Sequence, residues 1–196
     1  VTSLIESVNP PISAEPAFYI LTRSTTSFSF RLSAKGTFYV DWGDGTSIQT
    51  IVRSDTTTVL YNHTYSSAGA YRIKIAGTAT GYNTVSGTAT YISAISFISN
   101  TSIVKIGGSL GSVFPTIGNG GTLATQPRFY MTFSGCTGIA GEISPKLFSG
   151  VSGIPVENMF NNTFNGCSKL IGEIPADLFS GISGAPATGV FSGTFS

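Results

Sequence analysis

Charge is scarce in this sequence of 196 residues, of which only 10% are Asp, Glu, Lys or Arg. An average globular protein carries about 25% charged residues. The ten basic and nine acidic residues nearly cancel, so no strongly basic face, and therefore no nucleic-acid binding, is expected. Long apolar runs are also missing. None reaches the roughly 18 residues of a membrane span, so we predict no membrane-spanning segment.

Cysteine and histidine are rarer still. The two cysteines, Cys136 and Cys167, are too few for a disulfide-rich scaffold. The single histidine, His63, cannot supply a zinc site or a catalytic triad of the usual type. The 24 glycines form neither a P-loop nor a G-x-G-x-x-G motif, so no phosphate cradle is predicted. We therefore predict no catalytic residue and no cofactor, and a protein that is not an enzyme.

Residues 17–95 alternate apolar and polar side chains, which is the period of a half-buried β-strand. Three of these runs are Phe28-Ser-Phe30-Arg-Leu32, Phe38-Tyr-Val40-Asp-Trp42 and Tyr71-Arg-Ile73-Lys-Ile75. Turn signals rich in glycine separate about seven such strands, which predicts a β-sandwich. The proline-containing residues 1–16 before them predict a lead-in linker or an edge strand, because proline cannot serve a central strand.

Residues 96–196 repeat instead of alternating. Residues 133–153 match residues 164–184 at a constant offset of 31, and Gly193-Thr194-Phe195 begins a third copy. A strict period in this range predicts a solenoid of stacked repeats. Residues 103–106 and 110–114 look like a degenerate first copy. Because the last copy has no polar cap, we expect the chain to be a fragment of a longer polypeptide.

The positions conserved between the two copies predict their packing. Four aliphatic residues are expected to line the interior beside a short parallel strand: Ile139, Ile143, Leu170 and Ile174. Cys136 and Cys167 fall at the same position of successive copies. The alternatives there are a disulfide between stacked copies and a ladder of buried free thiols. The ladder is favoured, because a small apolar side chain suits such a site.

The run Asp41-Trp42-Gly43-Asp44-Gly45 is the strongest candidate for chemistry. Two carboxylates, Asp41 and Asp44, on a glycine turn could form a calcium loop or an acid/base pair. The other interpretation is structural: Asp44-Gly45 is a hairpin signal, and Trp42 ends its strand as a core anchor. A calcium loop collects more oxygen ligands than these two. The structural interpretation is therefore favoured, and no metal site is predicted.

The same run is followed by His63-Thr-Tyr65 and by Gly69-Ala-Tyr71-Arg-Ile73. Together these motifs resemble the polycystic-kidney-disease (PKD) domain, an immunoglobulin-like sandwich with a W-G-D-G turn, an H-x-Y element and a G-x-Y-x-V/I element. The resemblance covers about residues 17–95 and implies an extracellular spacer, adhesion or polysaccharide-contact module. It also implies that four residues serve the fold: Trp42, Asp44, His63 and Tyr65. We assign the same structural role to Tyr71.

The repeat has a resemblance of its own, over about residues 100–196. The stretch from Leu170 to Leu178 looks like the L-x-G-x-I-P-x-x-L signature of leucine-rich repeats. Phe164-Asn-Gly-Cys167-Ser-Lys-Leu170 resembles the F-x-x-C-x-x-L element of the bacterial BspA-type surface proteins. The period is longer than the roughly 20–29 residues usual for leucine-rich repeats. The extra residues fall in the Gly/Ser/Pro-rich tract after Phe179, which predicts a longer connection on the convex side.

These features predict a non-catalytic interaction module that is secreted or displayed on a bacterial cell surface. Its partners would be proteins or surface glycans, or further copies of itself. Six residues at equivalent positions of the two copies are predicted to bind the partner: Thr137, Ala140, Glu142, Ser168, Ile171 and Glu173. Three tyrosines outside the predicted cores are candidate platforms for sugar stacking: Tyr19, Tyr39 and Tyr82. The alternatives are a structural subunit of a surface filament or sheath and an accessory region of a secreted hydrolase.

Overall fold

The protein is mainly β. The computed structural model describes residues 18–88, 92–185 and 187–196, so the predicted lead-in segment of residues 1–16 lies outside the described residues. The elements, in chain order, are β1 (Phe18–Thr22), β2 (Thr25–Leu32), β3 (Lys35–Asp41), β4 (Gln49–Arg53), β5 (Val59–Gly69), β6 (Arg72–Gly81), β7 (Ile95–Ser96), β8 (Ile103–Gly107), α1 (Leu110–Val113), β9 (Ala140–Gly141) and β10 (Lys169–Leu170).

Two antiparallel sheets form the first part of the molecule. One has five strands in the order β4-β3-β6-β1-β8, and the other has three in the order β5-β2-β7. Strands β1 and β3 alternate buried residues with more exposed ones, because their apolar residues are spaced two apart. The buried side chains of both sheets meet in one core, where the ring of Phe30 in β2 lies 5.9 Å from Trp42, which follows β3. This arrangement is consistent with a β-sandwich.

Two short strands around and beyond residue 95 complete these sheets. β7 pairs with β2 and places Ile95 opposite Leu32. β8 pairs with β1 and places Ile106 opposite Ile20. Residues 103–106, which the sequence suggested as part of a degenerate first repeat, form an edge strand of the five-stranded sheet. The segment before them also joins the next copy, since the N–H of Phe97 donates to the carbonyl of Thr132 (2.8 Å). The pairing of β8 with β1 has no local signal, because the two strands lie far apart in the sequence.

Successive copies of the repeat are joined by backbone hydrogen bonds. The N–H of Phe133 donates to the carbonyl of Thr163 (2.8 Å), and 31 residues later the N–H of Phe164 donates to the carbonyl of Thr194 (2.9 Å). Strands β9 and β10 pair in parallel between the copies that contain Phe133 and Phe164. The preceding segment takes part as well, since the N–H of Gly111 in α1 donates to the carbonyl of Leu147 (3.0 Å). Equivalent residues therefore lie next to one another in adjacent copies.

Phenylalanine rings line up along the copies. Four rings form a column in which neighbouring centroids lie 5.4 Å apart and the planes are nearly parallel: Phe97, Phe133, Phe164 and Phe195. Each such pair adds about 0.5–1.5 kcal/mol to the stabilisation that burial alone supplies. The ring of Phe97 also lies 6.0 Å from Phe18 in β1, so this phenylalanine column starts on the core of the sheets. One hydrophobic core thus runs from the sheets into the repeats.

Candidate functional site

The turn between β3 and β4 holds the two carboxylates that the sequence singled out. Gly43 and Gly45 adopt left-handed φ angles of 79° and 81°, which glycine tolerates and which let the chain reverse directly after Asp41. Asp44 Oδ1 accepts hydrogen bonds from the N–H (3.1 Å) and the hydroxyl (2.6 Å) of Thr46. Asp44 Oδ2 lies 2.7 Å from Nε2 of His63. Asp44 therefore links the turn to strand β5 through its contact with His63.

Aromatic side chains pack around His63. Its ring is parallel to that of Trp42, with the centroids 4.8 Å apart, and Tyr65 meets it edge-on at 4.8 Å. Trp42 is buried and donates from Nε1 to Gln49 Oε1 (3.1 Å), while the Tyr65 hydroxyl donates to the Trp42 carbonyl (3.2 Å). Tyr65 in turn stacks on Tyr71 at 3.6 Å. With its side chain only 18% exposed, His63 is held between its neighbours and hardly faces solvent.

The two carboxylates of the turn, Asp41 and Asp44, have different hydrogen-bond and charge partners. The hydrogen bond from the Thr46 hydroxyl, helped by His63, outweighs burial and lowers the pKa of Asp44 to about 2. Asp41 Oδ1 accepts the N–H of Gly43 (2.9 Å), and Asp41 Oδ2 lies 3.6 Å from Nζ of Lys74. Within residues 18–88, 92–185 and 187–196, no group of three or more His, Cys, Asp or Glu side chains could hold a metal ion.

The two cysteines are buried free thiols. Cys136 donates its S–H to the carbonyl of Phe97 (3.2 Å), and Cys167 donates to the carbonyl of Phe133 (3.2 Å). Burial raises the pKa of Cys136 to about 12 and that of Cys167 to about 11. The thiolate is the reactive form of cysteine, so neither side chain is arranged as a nucleophile. Each thiol instead links its own copy of the repeat to the preceding one.

The six residues predicted to bind a partner are all exposed, and we refer to them as the exposed row: Thr137, Ala140, Glu142, Ser168, Ile171 and Glu173. Strands β9 and β10 join the two copies here. The side chain of Glu142 packs across Gly172 of the next copy, where an added Cβ would lie only 3.0 Å from Glu142 Cγ. The row is therefore built on backbone that hydrogen bonds and close packing hold in place.

The three tyrosines proposed for sugar stacking are not equivalent. Tyr82 is buried, only 4% exposed, and its hydroxyl donates to the carbonyl of Pro115 (2.6 Å), so its assignment as a surface platform is wrong. Tyr19 is half-buried and carries the guanidinium of Arg72 at 4.3 Å from its ring centroid. Tyr39 is also half-buried. Tyr19 lies on β1 and Tyr39 on β3, so both belong to the five-stranded sheet and not to the repeat strands β9 and β10.

The last copy presents an apolar surface that the sequence analysis did not assign. Ile174, expected in the interior, is 56% exposed, whereas its counterpart Ile143 is 8% exposed. Burial at this position requires a following copy, and no described residue provides one for Ile174. Phe191 and Phe195 are likewise 45% and 38% exposed. We call Ile174, Phe191 and Phe195 the terminal face, and a groove of about 370 Å³ connects it with the exposed row at Ile171.

Buried threonines are a second feature that the sequence analysis did not assign. Each donates its hydroxyl to a backbone carbonyl of the preceding copy: Thr132 to Ile95 (3.0 Å), Thr163 to Phe129 (2.9 Å) and Thr194 to Phe160 (2.9 Å). A signal for them existed, because a threonine precedes a phenylalanine at every 31-residue interval. Threonine at a buried position of a repeat implies a hydroxyl with a fixed partner.

The geometry thus defines a mainly β protein with antiparallel sheets. The described residues include no helix that is long and apolar enough to cross a membrane. Comparison of the chain with protein-family models, with curated proteins and with solved structures found no match.

Proposed function

We propose that this chain is a non-catalytic interaction module, secreted or displayed on a cell surface, that binds a protein or a surface glycan. The observation that carries the proposal is the exposed row. Its residues recur at equivalent positions of two copies that backbone hydrogen bonds hold in register. Repeat proteins use such extended surfaces for binding, because successive copies present similar side chains at a fixed spacing.

The fold that we propose for this module is a PKD-like, immunoglobulin-like sandwich followed by a leucine-rich-repeat-like solenoid. The two antiparallel sheets with a shared core support the first part. The phenylalanine column and the hydrogen bonds between copies support the second part. Trp42, His63 and Tyr65 lie inside a packed cluster in the sheets, which leaves the repeats as the better surface for a partner.

A binding screen tests the proposal. The 196-residue chain is applied to a glycan array and to a panel of extracellular matrix proteins, beside a variant with Glu142→Gln and Glu173→Gln. We expect a ligand that binds the original chain and binds the variant at least about tenfold more weakly, because both copies lose a charged hydrogen-bond acceptor. Lys146→Gln with Asp177→Asn is the matched control, since these exposed residues are also 31 apart but lie outside the row. Equal losses in both variants would refute a role for the row.

A structural subunit of a filament or sheath is the second candidate, and the low content of charged residues favours it. Head-to-tail stacking would require both ends of the repeat stack to be open. The end next to the sheets is covered, because β7 pairs with β2 and the N–H of Ser33 donates to the carbonyl of Ala94 (3.1 Å). We therefore expect a monomer in sedimentation experiments at micromolar concentration. Regular polymers under those conditions would favour the structural subunit.

A further inference from the structure

Strand β5 is the outermost strand of its sheet. Among the described residues, β2 is the only strand that pairs with β5, and the opposite edge of β5 has no strand beside it. The pairing is regular from Val59 to Thr64 and is then interrupted, because β5 advances five residues from Thr64 to Gly69 while β2 covers only two between Ser27 and Thr25. The regular part of the open edge is therefore six residues, or about 20 Å, long.

One hydrogen bond shows which residues of β2 face β5. The N–H of Ser33, directly after β2, donates to the carbonyl of Ala94, which directly precedes β7 (3.1 Å). The backbone groups of successive residues point to opposite sides of a strand, so Leu32 directs its own groups to β5. Leu32 lies opposite Val59. Val59 and every second residue after it in the regular part therefore form hydrogen bonds with β2.

The residues between these positions direct their backbone groups into solvent. They are Leu60, Asn62 and Thr64, and their side chains are exposed as well. Within the part of the chain that the structure describes, no backbone hydrogen bond from outside β2 reaches their N–H or carbonyl groups. The free groups recur every second residue, a spacing of about 6.8 Å along the strand. Such a row is complementary to the backbone of another extended strand.

The other edges of the two sheets are protected. β8 is covered by the repeats, because an added Cβ on Gly138 would lie 2.3 Å from the carbonyl oxygen of Ile103. β7 leads into the repeats, where the hydroxyl of Thr132 donates to the carbonyl of Ile95 (3.0 Å). β4 is only five residues long and turns the charged side chain of Arg53 inward, where it is buried. Short length and inward-pointing charges are features that prevent an edge from pairing.

β5 carries no such protection. No Lys, Arg, Asp, Glu or Pro occurs from Val59 to Gly69, and Leu60 is 45% exposed. An edge of this kind pairs readily with another chain. Two rigid sandwiches that met along it would share a strip of about 20 Å by 10 Å. This is far less than the roughly 1,200 Å² that a stable complex buries. A flexible peptide binds over such a length, because its main chain supplies the affinity.

We propose that the open edge of β5, over Val59–Thr64, binds an extended segment of a separate polypeptide as an added antiparallel strand. The segment exchanges main-chain hydrogen bonds with Leu60, Asn62 and Thr64. Its side chains alternate between the two faces of the sheet. On the outer face an apolar side chain lies opposite Leu60 and hydroxyl side chains lie opposite Asn62 and Thr64, as cross-strand pairs favour. The inference uses the sheets alone and does not depend on ligand binding at the exposed row.

Amide exchange in the 196-residue chain tests the proposal. The probe is the synthetic peptide Lys-Thr-Val-Thr-Val-Val-Thr-Lys, whose central residues follow this alternation. At a peptide concentration about ten times its dissociation constant, we expect exchange of the Leu60, Asn62 and Thr64 amides to slow roughly tenfold. The amides of Tyr61 and His63 already face β2 and serve as the internal control, so the peptide should not change their exchange.

A fused version ensures that weak pairing is detected. The same peptide is joined ahead of Val1 through a flexible Gly/Ser linker of about 20 residues, which raises its effective concentration to the millimolar range. Absence of protection at Leu60, Asn62 and Thr64 in this fusion would overturn the proposal. Protection of these amides in the chain alone at low concentration would also overturn it, because another part of the chain would then cover the edge.

Two controls test whether the main chain carries the binding. Asn62→Pro removes an N–H that faces solvent, a position where an edge strand tolerates proline, and should weaken peptide binding at least about tenfold. Asn62→Ala keeps the N–H and is the matched variant, which should bind as the original chain does. A peptide N-methylated on the side that faces β5 should give no protection, and equal protection by it would contradict strand addition. Protection that needs no peptide and grows with protein concentration would assign the edge to a second copy and overturn the proposal.

Discussion

The sheets and the repeats contribute side chains to one hydrophobic core, but the sequence pattern that buries those side chains differs between them. In the sheets, buried and more exposed residues alternate along β1 and β3, and antiparallel partners come from distant parts of the chain. In the repeats, side chains 31 residues apart stack on one another, and backbone hydrogen bonds join neighbouring copies. The hydrogen bonds of the sheets thus join strands that are distant in the sequence, whereas those of the repeats join neighbouring copies.

Among the substitutions that test this comparison, Phe133→Ala is expected to lower stability most. Phe133 is fully buried, stacks between Phe97 and Phe164, and lies 6.2 Å from Phe18 of β1. We expect the free energy of unfolding to fall by about 3–5 kcal/mol, as for other buried phenylalanines. Because the ring contacts both regions, Trp42 fluorescence and amide exchange in the repeats should report the same loss in urea. An unchanged Trp42 transition would show that the two regions fold independently.

Thr163→Val tests the side-chain hydrogen bonds between copies. The substitution keeps the shape of the side chain and removes the hydroxyl, whose single proton is shared between the carbonyl of Phe129 in the preceding copy and that of Phe160. We expect the free energy of unfolding in urea to fall by about 1 kcal/mol, which is the usual net contribution of one hydrogen bond. Thr50→Val is the matched control, because Thr50 is exposed on β4. A loss no larger than that of the control would mean that the hydroxyl contributes nothing.

Asp44→Asn tests the turn of the sheets through the pH dependence of stability. Folding lowers the pKa of Asp44 from 3.8 to about 2, so the ionised carboxylate stabilises the folded state. This contribution is complete above about pH 4 and is lost as the pH falls towards 2. The stability difference between the original chain and the variant should therefore shrink over that interval. The control is Asp177→Asn, an exposed carboxylate in the repeats. A difference that is constant with pH would rule out the lowered pKa.

The smallest effect is expected for the thiols. Burial and a raised pKa keep Cys136 and Cys167 protonated at neutral pH. We expect a disulfide reagent such as dithiobisnitrobenzoate to label both cysteines only as fast as the chain unfolds. Cys136→Ser retains a hydrogen-bond donor towards Phe97 and should leave most of the stability intact. Rapid labelling of the folded chain would show that the copies separate locally.

Much of this architecture follows from two periods in the sequence. A period of two predicted the burial of Phe30 and Val40, and the 31-residue interval predicted that Cys136 and Cys167 lie in successive copies; both pairs are buried. Such patterns are visible because each element repeats one environment several times. A repeated pattern therefore predicts the burial of a residue only where its neighbours repeat as well.

The remaining features depend on contacts that occur once. Ile174 has the same sequence context as Ile143 but a different neighbourhood, since the copy that would cover it is not among the described residues. Tyr82 was placed outside the predicted cores, yet it is buried, and its hydroxyl donates to the carbonyl of Pro115, a residue far away in the sequence. The left-handed φ of Met131 has no local signal, because methionine rarely adopts it. Asn162 and Gly193 at equivalent positions could have revealed it.

Residues 95–96 belong to the three-stranded sheet and also lead directly into the repeats. The same short strand that ends the three-stranded sheet precedes Phe97, which begins the phenylalanine column. An isolated copy has no partner for its rings or its threonine hydroxyl, so the sheets act as the template on which the first copy orders. Because each copy contacts only its neighbours, we expect order to propagate from the sheets along the copies.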